Sequence, residues 1–230
     1  MFCGSAPARQ NEIKNQSGHS RDYPPIFRKG KIMKKSFGLL LSLVFASSVM
    51  AGDAAKGKDK TATCTACHGA DGNSPLAMYP KIAGQNEKYL IKQLKEFKTG
   101  ERDNAMMAPM VSTLSDEDMA DIAAYYASQQ VQHAAVPEAY IKRGELLYRG
   151  GDSDRDIPAC IACHGAQGNG MPAAGFPAVG GQHPDYTKAQ LMAFRSGERN
   201  NDANNVMRDV VAKMSDAQIE ALAYYLVGLH

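Results

Sequence analysis

Several features that commonly reveal a protein's class are missing from this sequence. Tryptophan is absent and aromatic residues are 7% of the 230 positions, although hydrophobic residues at 44% and charged residues at 22% are ordinary for a globular protein. No segment shows the alternation of apolar and polar residues that marks a half-buried strand. The sequence therefore predicts helices and loops, and it lacks the strand–helix–strand context of a thioredoxin-like redox protein.

The sequence also lacks an apolar run long enough to anchor it in a membrane. The run from Phe37 to Ala46 is too short to cross a bilayer as a stable helix. Lys34 and Lys35 precede it and small residues up to Ala51 follow it, which is the pattern of a secretory signal peptide. We expect a signal peptide over residues 33–51, cleavage near Ala51, and an exported mature protein.

Residues 1–32 form a polar extension ahead of this signal peptide. Since signal peptides begin close to the amino terminus, we interpret residues 1–32 as a non-native or leader extension and Met33 as the start of translation. A start at Met1 stays open as the alternative. On either interpretation, Cys3 is absent from the mature protein.

An excess of positive charge is missing from the mature chain. Eight of the 26 Lys and Arg and two of the 24 Asp and Glu lie in residues 1–51, which leaves 18 basic and 22 acidic side chains. The net charge of +2 of the full sequence thus belongs to the leader. A protein that binds nucleic acid through its phosphates needs a basic surface, so this class is excluded.

The most informative feature that is present is an internal repeat. The segment Cys64–Gly69 recurs 96 positions later as Cys160–Gly165. Downstream residues match at an offset of 97 and, after a three-residue insertion, of 100. The chain is therefore a tandem duplication. The matched residues include Gln85 and Gln182, Tyr89 and Tyr186, Gln93 and Gln190, Phe97 and Phe194, Arg102 and Arg199, Met107 and Met207, Ser115 and Ser215, and Tyr125 and Tyr225.

We predict an all-α fold of two tandem domains, over residues 52–134 and 135–230, with a linker near residues 129–137. Each half reads as a short helix, the cysteine motif, a loop, a middle helix, a second loop and a terminal helix. Ser115 and Ser215 stand where the terminal helices need a cap. Loop-rich domains of this size pack poorly alone, so a central prosthetic group would explain what each one wraps around.

Each half carries one Cys-x-x-Cys-His motif, which is typical of covalent haem attachment. The thiols are one helical turn apart, suited to thioether bonds with the two vinyl groups of a haem, and the adjacent imidazole can bind the iron. A single Cys-x-x-Cys-His could occur by chance, but two at equivalent positions of the repeat argue against chance. We predict two covalent haem c groups, attached through Cys64, Cys67, Cys160 and Cys163, with His68 and His164 as axial iron ligands.

Other uses of these cysteines are less favoured. Zinc could bind four cysteines, but each pair lies in its own repeat and a histidine follows it directly. A disulfide across two intervening residues would constrain almost nothing. The mature chain has no further cysteine, so no thiolate is left for the other face of a haem iron.

Methionine is one candidate for the second axial position, where it raises the reduction potential. Of the twelve methionines, only Met107 and Met207 coincide in the repeat, each in the loop before a capped terminal helix, and we predict them as the ligands. Met106 and Met110 are local rivals in the first half. The alternative is that both repeated methionines are ordinary core residues.

Histidine is the other candidate for that position. His133 lies in the linker and His230 ends the sequence. His183 stands where the first half has Asn86, so we expect a surface or loop residue there.

Residues 52–230 resemble the cytochrome c4 family of bacterial dihaem electron carriers. The resemblance implies two cytochrome c folds with neighbouring haems, His and Met as axial ligands, and a periplasmic location. It also implies electron transfer in respiration towards a haem-copper terminal oxidase, from a quinol–cytochrome c reductase or another donor. It leaves peripheral membrane association and oligomeric state open. The motifs that carry it are Cys64–Asn73, Gly84-Gln85, Ser115–Asp118, Cys160–Gly165, Gly180–His183 and Gly228–His230.

Electron transfer without catalysis is therefore the leading function. One alternative is a redox enzyme, such as a dihaem peroxidase, a thiosulfate-oxidising cytochrome or the haem subunit of a dehydrogenase, which would need an open iron position. Another is a haem-containing structural or sensor module.

Two local features add smaller expectations. Lys88, Lys92 and Lys95 form a stripe on the middle helix, for which a solvated face is favoured over a docking surface. Residues 150–156 lengthen the approach to Cys160, so we expect the surroundings of the two haems to differ.

Overall fold

Ten α-helices, five from each half of the repeat, form the described part of the chain. The structure is a computed structural model that describes residues 52–230; the predicted extension over 1–32 and signal peptide over 33–51 lie outside it. No strand occurs within residues 52–230, so the predicted all-α class is confirmed. The first half contains α1 (Ala54–Asp59), α2 (Thr65–His68), α3 (Glu87–Thr99), α4 (Met107–Val111) and α5 (Asp116–Ala127).

The second half repeats this order with longer connections. Single 3₁₀ turns lie at Ser153–Arg155, Pro172–Ala174 and Ala203–Asn205. None of the helices in residues 52–230 has the length and apolar character needed to cross a membrane. The helices are α6 (Glu138–Gly150), α7 (Ile161–His164), α8 (Pro184–Ser196), α9 (Val206–Val211) and α10 (Asp216–Leu226).

The first and last helices of each half cross at a glycine. A Cβ atom at Gly57 would lie 1.9 Å from the carbonyl oxygen of Asp121, and one at Gly144 would lie 2.2 Å from Cβ of Tyr225. Only glycine permits α1 and α5, or α6 and α10, to approach this closely. Gly144 stands 16 residues before Cys160 and Gly57 seven before Cys64, so the extra residues of the second half follow the crossing.

The terminal helices begin as the sequence predicts. The hydroxyl of Ser115 accepts a hydrogen bond from the backbone N–H of Asp118, whose carboxylate accepts one from the Ser115 N–H. Ser215 and Gln218 form the same capping box on α10. Each box satisfies N–H groups that the first helical turn leaves unpaired.

The segments before these helices differ from the prediction. Met107 and Met207 do not lie in loops but in the short helices α4 and α9. Asn104 Oδ1 accepts the backbone N–H groups of Met106, at 3.1 Å, and Met107, at 2.9 Å. Such a side-chain cap allows a turn of helix to form where the short apolar sequence gives no periodic signal.

Each half has its own hydrophobic core. The first cluster is built on Leu90 of α3 and on Ile122 and Tyr126 of α5. The second includes Leu191 of α8 and Leu222 of α10, with further residues from α6 and the loops. The two halves are thus separately packed, although they belong to one compact unit.

Two glutamines join the halves through reciprocal hydrogen bonds. The Gln85 side chain donates to the carbonyl of Ala178 at 2.9 Å and accepts from its N–H at 2.8 Å. Gln182 bonds to the N–H and carbonyl of Lys81 in the same way, at 2.8 Å each. Both pairs of positions are 97 apart in the sequence, so the contact has approximate two-fold symmetry.

A second reciprocal network surrounds two arginines. Arg102 donates to Gln93, Gln190 and Tyr186, and Arg199 donates to Gln190, Gln93 and Tyr89. Each guanidinium also lies over a phenylalanine of its own half, at 4.6 Å from the Phe97 ring centre and 4.4 Å from that of Phe194. Neither guanidinium forms an ion pair with a carboxylate of residues 52–230.

The excess of positive charge at this contact affects a phenol. Desolvation raises the pKa of Tyr89, but the guanidiniums of Arg199 and Arg102 outweigh it and hold that pKa below its usual range. The contact therefore places two guanidiniums close together between the halves, with the Glu96 carboxylate near Arg199.

One part of the contact has no symmetry mate. Asn201 lies in the stretch where the second half has three extra residues, and its amide donates to Gln93 at 3.0 Å and to Glu96 at 2.7 Å. Lys92 bonds to the carbonyl of Asn201 at 2.7 Å and pairs with Glu96. The second half has alanines where the first has Lys92 and Glu96. These contacts of Asn201, which we call the Asn201 anchor, therefore have no counterpart in the other half.

The lysine stripe of α3 is exposed or half-buried, and its ammonium groups also bond to other parts of the chain. Lys88 donates to the carbonyl of Ala173 in the other half at 3.1 Å, and Lys92 belongs to the Asn201 anchor. Lys95 pairs with Asp116 at the start of α5, at 2.8 Å. All three ammonium groups already have partners within the chain.

Side chain to backbone hydrogen bonds fix the linker between the halves. Asn73 bonds to the carbonyl of Gln130 at 2.8 Å and to the N–H of Gln132 at 2.8 Å. The N–H of Ala134 donates to the carbonyl of Val227 at 3.2 Å. The linker is therefore held by both halves.

We expect Gln85→Ala to loosen the contact between the halves. The change removes three side-chain hydrogen bonds and leaves the N–H and carbonyl of Ala178 without their partner, which costs about 1–3 kcal/mol. Urea unfolding measures the loss of stability, and limited proteolysis within residues 129–137 measures the opening. The exposed Gln167→Ala is the matched control. Equal behaviour of the two variants would contradict the role of Gln85.

Candidate haem sites

The cysteine motifs form two single-turn helices with matching geometry. Cys64 caps α2 and Cys67 lies three residues later, so both thiols face one side of the turn. Cys160 and Cys163 repeat this arrangement on α7. All four thiols are half-buried and none forms a disulfide. Each pair is therefore available for two thioether bonds to one group.

The histidine of each motif is held by a hydrogen bond to a proline carbonyl. His68 is 8% exposed and its Nδ1 lies 2.9 Å from the carbonyl oxygen of Pro80. His164 is 9% exposed and its Nδ1 lies 2.9 Å from that of Pro177. Nδ1 must carry the proton, because a carbonyl only accepts. Within residues 52–230, Nε2 of neither ring is hydrogen-bonded, so its lone pair is free to bind iron.

Burial keeps both imidazoles neutral. It lowers the pKa of His68 and of His164, and the hydrogen bonds to the proline carbonyls raise them only in part. A neutral imidazole is the form that binds a metal ion, so the environment suits an axial ligand.

The two proline carbonyls are functional groups that sequence reasoning missed. Pro80 and Pro177 are 97 positions apart, the same offset as Gln85 and Gln182. This register was the available signal. The sequence could not show the role of these prolines, because the hydrogen-bond acceptor is a backbone carbonyl, which every residue type carries.

The methionines separate by exposure. Met107 and Met207 are half-buried, whereas Met106 is 52% and Met110 49% exposed. Met207 packs against the second core cluster, and Met119 is fully buried in the first half. The exposure thus distinguishes the repeated pair from its local rivals.

Zinc binding through the cysteines is not supported by the geometry. Across residues 52–230, no group of three or more His, Cys, Asp or Glu side chains is arranged to hold a metal ion. Burial raises the pKa of Cys160 to about 11 and also raises that of Cys64. Two thiols and one free imidazole nitrogen per site fit a covalent haem instead.

The surroundings of the sites differ beyond the motifs. Beside Cys160, the buried phenol of Tyr148 on α6 donates to the carbonyl of Gly165 at 2.6 Å. Beside Cys64, the phenol is Tyr126 on α5, and its buried hydroxyl has no hydrogen-bond partner in the described structure. Residues 150–156 add a turn to the second half. The Gln218 side chain holds this turn by donating a hydrogen bond to the Asp152 carboxylate at 2.7 Å. The residues around the two haem sites therefore differ, as the sequence led us to expect.

Comparisons with known proteins agree with this geometry. The family model for cytochrome c matches residues 54–130 and again residues 141–230. Cytochrome c4 of Pseudomonas aeruginosa is 48% identical over 78% of this chain and 90% of that protein. The chain belongs to the cytochrome c4 family. It is an electron-transfer protein with two covalently bound haem c groups, and it works with redox partner proteins.

A solved structure and a second protein are also similar to this cytochrome c4 family member. The crystal structure of reduced recombinant cytochrome c4 from Pseudomonas stutzeri has a TM-score of 0.76 and 48% identity, covering 78% of this chain and all of that one. A thiosulfate dehydrogenase electron acceptor from Thiomonas intermedia is 39% identical over 74% of this chain and 79% of that protein. The predicted family and cofactors are thereby confirmed.

We expect the haem-loaded protein to keep two haems under denaturing conditions, because thioether bonds survive unfolding. Intact mass spectrometry counts them, and acid-acetone extraction should release none. Cys160→Ala combined with Cys163→Ala should remove one haem and leave the first site loaded. Ala162→Ser, at the exposed position between these two cysteines, is the control and should leave both haems attached. Haem lost on extraction, or a mass that fits one haem in the unaltered protein, would contradict the assignment.

Proposed function

We propose that this protein is a periplasmic dihaem electron carrier of respiration that delivers electrons towards a haem-copper terminal oxidase. The observation that carries the proposal is the equivalence of the two sites, each with a thiol pair, a neutral imidazole and a half-buried methionine at matching positions. An enzyme with two haem groups commonly needs one site to differ, so that a substrate can reach it.

We propose His68 with Met107 and His164 with Met207 as the axial pairs, and Cys64, Cys67, Cys160 and Cys163 as the attachment points. A haem c bound in this way supplies a one-electron couple. The Nδ1 hydrogen bonds to Pro80 and Pro177 fix the ring orientation of each histidine. The half-buried methionines would close the remaining axial position against small molecules.

The contact between the halves supports transfer between the two sites. Reciprocal hydrogen bonds hold the halves in one arrangement, which would keep the distance between the sites constant. Arg102 and Arg199 also place two positive charges there without a carboxylate partner in residues 52–230. These charges would hold negatively charged side groups of the cofactors and raise their reduction potentials, because a nearby cation favours the electron.

The partners follow from the family and one relative. A quinol–cytochrome c reductase is the proposed donor. The similarity to an electron acceptor of thiosulfate dehydrogenase supports a second candidate donor, a thiosulfate-oxidising enzyme. Both proposals make this chain a carrier that accepts electrons from another protein, so they differ in the donor and not in the chemistry.

The location and the domain limits are also proposals. Covalent haem attachment through a duplicated Cys-x-x-Cys-His motif suits a protein exported before it folds, and residues 33–51 have the signal-peptide pattern. We propose domains over residues 52–134 and 135–230, with the fixed linker between them.

We expect Met107→Ala to lower the reduction potential of one haem, because a thioether ligand favours the ferrous state. Half of the near-infrared band of Met-to-iron ligation should disappear, and Met207→Ala should remove the other half. Redox titration and near-infrared absorption measure both effects. Met106→Ala and Met110→Ala are matched controls, since both side chains are exposed. An effect in either control and none in Met107→Ala would make the first assignment wrong.

We expect the reduced protein to bind little carbon monoxide near neutral pH, because both axial positions are taken. Peroxide and thiosulfate turnover should be negligible, while electrons exchange rapidly with a purified haem-copper oxidase. Absorption spectroscopy and stopped-flow mixing measure these outcomes. Met207→Ala is the positive control, since it opens one position. Stoichiometric carbon monoxide binding to the unaltered protein, together with multiple peroxide turnovers, would establish an enzyme instead.

A further inference from the structure

We propose that His133 and His230 form a binding site for one divalent transition-metal ion, separate from the haem sites. His133 belongs to the linker and His230 to the segment that follows α10. Neither position is repeated in the other half, and neither takes part in the haem sites or in the reciprocal contact. The proposed metal site therefore does not depend on the proposed electron-transfer role.

The distance between the two rings suits a shared ion. Their centroids are 5.2 Å apart and the ring planes are inclined at 53°. A metal held by an imidazole nitrogen at about 2.0–2.1 Å lies about 3.2 Å from the ring centre, so two rings on a tetrahedral ion have centres about 5 Å apart. The observed separation of the ring centres is therefore the one that two imidazoles on a shared ion would have.

Ring nitrogens are available on both histidines. Nδ1 of His230 lies 2.6 Å from the carbonyl of Gly228, which fixes the proton on Nδ1 and leaves Nε2 as the ligand atom. Within residues 52–230, neither nitrogen of His133 has a hydrogen-bond partner. Both side chains are exposed, so an ion and its remaining water ligands can reach them.

The backbone on both sides is fixed in advance. The N–H of Ala134 donates to the carbonyl of Val227, which joins the two segments next to the histidines. Gly181 lies beneath His133 with a positive φ of 73°, and a Cβ there would be 3.2 Å from Nδ1 of His133. Gly228 packs as closely on the linker, since its Cβ would be 2.7 Å from Val136 Cγ2. The backbone that carries the two histidines therefore needs little rearrangement when an ion binds.

The type of ligand atom selects the kind of ion. The Lys81 ammonium bonds to the carbonyl of Gln132 and opposes any cation nearby. Ca²⁺ and Mg²⁺ prefer oxygen ligands, whereas two imidazole nitrogens suit Cu²⁺ or Zn²⁺.

The experiment titrates the oxidised, haem-loaded protein, without a histidine tag, with Cu²⁺ and separately with Zn²⁺. We expect one ion per chain by calorimetry, and a Cu²⁺ electron paramagnetic resonance spectrum with hyperfine splitting from two nitrogens. His133→Ala and His230→Ala should each weaken binding at least tenfold, and to a similar extent, because either change leaves a single ligand. Unchanged haem absorption in both variants shows that they fold.

His183→Asn is the matched control, because the first half carries Asn86 at the equivalent position. It should bind the ion as the unaltered protein does. Binding that survives both His133→Ala and His230→Ala, or that is lost in His183→Asn, would overturn the proposal. The absence of saturable binding by the unaltered protein would do the same, and the two rings would then be a packing contact only.

Discussion

The need to pair buried polar groups determines how the two halves are arranged. Gln85 and Gln182 each complete the hydrogen bonding of a backbone unit in the other half, and the Arg102 and Arg199 guanidiniums find their acceptors across the same boundary. An unpaired buried polar group costs more than a made hydrogen bond gains. The halves therefore satisfy these groups only in one mutual orientation, and this orientation also sets the relation between the two haem sites.

Departures from symmetry are concentrated where residues were inserted. The extra residues after the Gly144 crossing build the turn that Asp152 fastens to Gln218. The three extra residues near Asn201 supply an anchor that only the first half can receive, through Glu96. Two sites of common origin thus acquire different protein surroundings while the helices that carry the Cys-x-x-Cys-His motifs stay alike. A difference in the potentials of two otherwise similar haems has a structural basis here.

The helical class and the caps at Ser115 and Ser215 could be predicted from the sequence, because each of these depends on residues close together in the chain. The repeat also marked Gln85, Tyr89 and Arg102 as important. Their purpose could not be inferred, since it lies in contacts with residues about a hundred positions away. The partner of Lys88 could not be inferred for the same reason, because it is a carbonyl of the other half.

The reciprocal contact has a consequence for the history of the molecule. Since Gln85 and Gln182, and Arg102 and Arg199, play equivalent parts, the surface of one half is complementary to itself, which is the property of an isologous dimer interface. Two separate copies of a single ancestral domain could therefore have associated through it before any fusion. Joining the genes would then have made an existing association independent of concentration, and only afterwards could the Asn201 anchor arise, because it requires that the two partners no longer be identical.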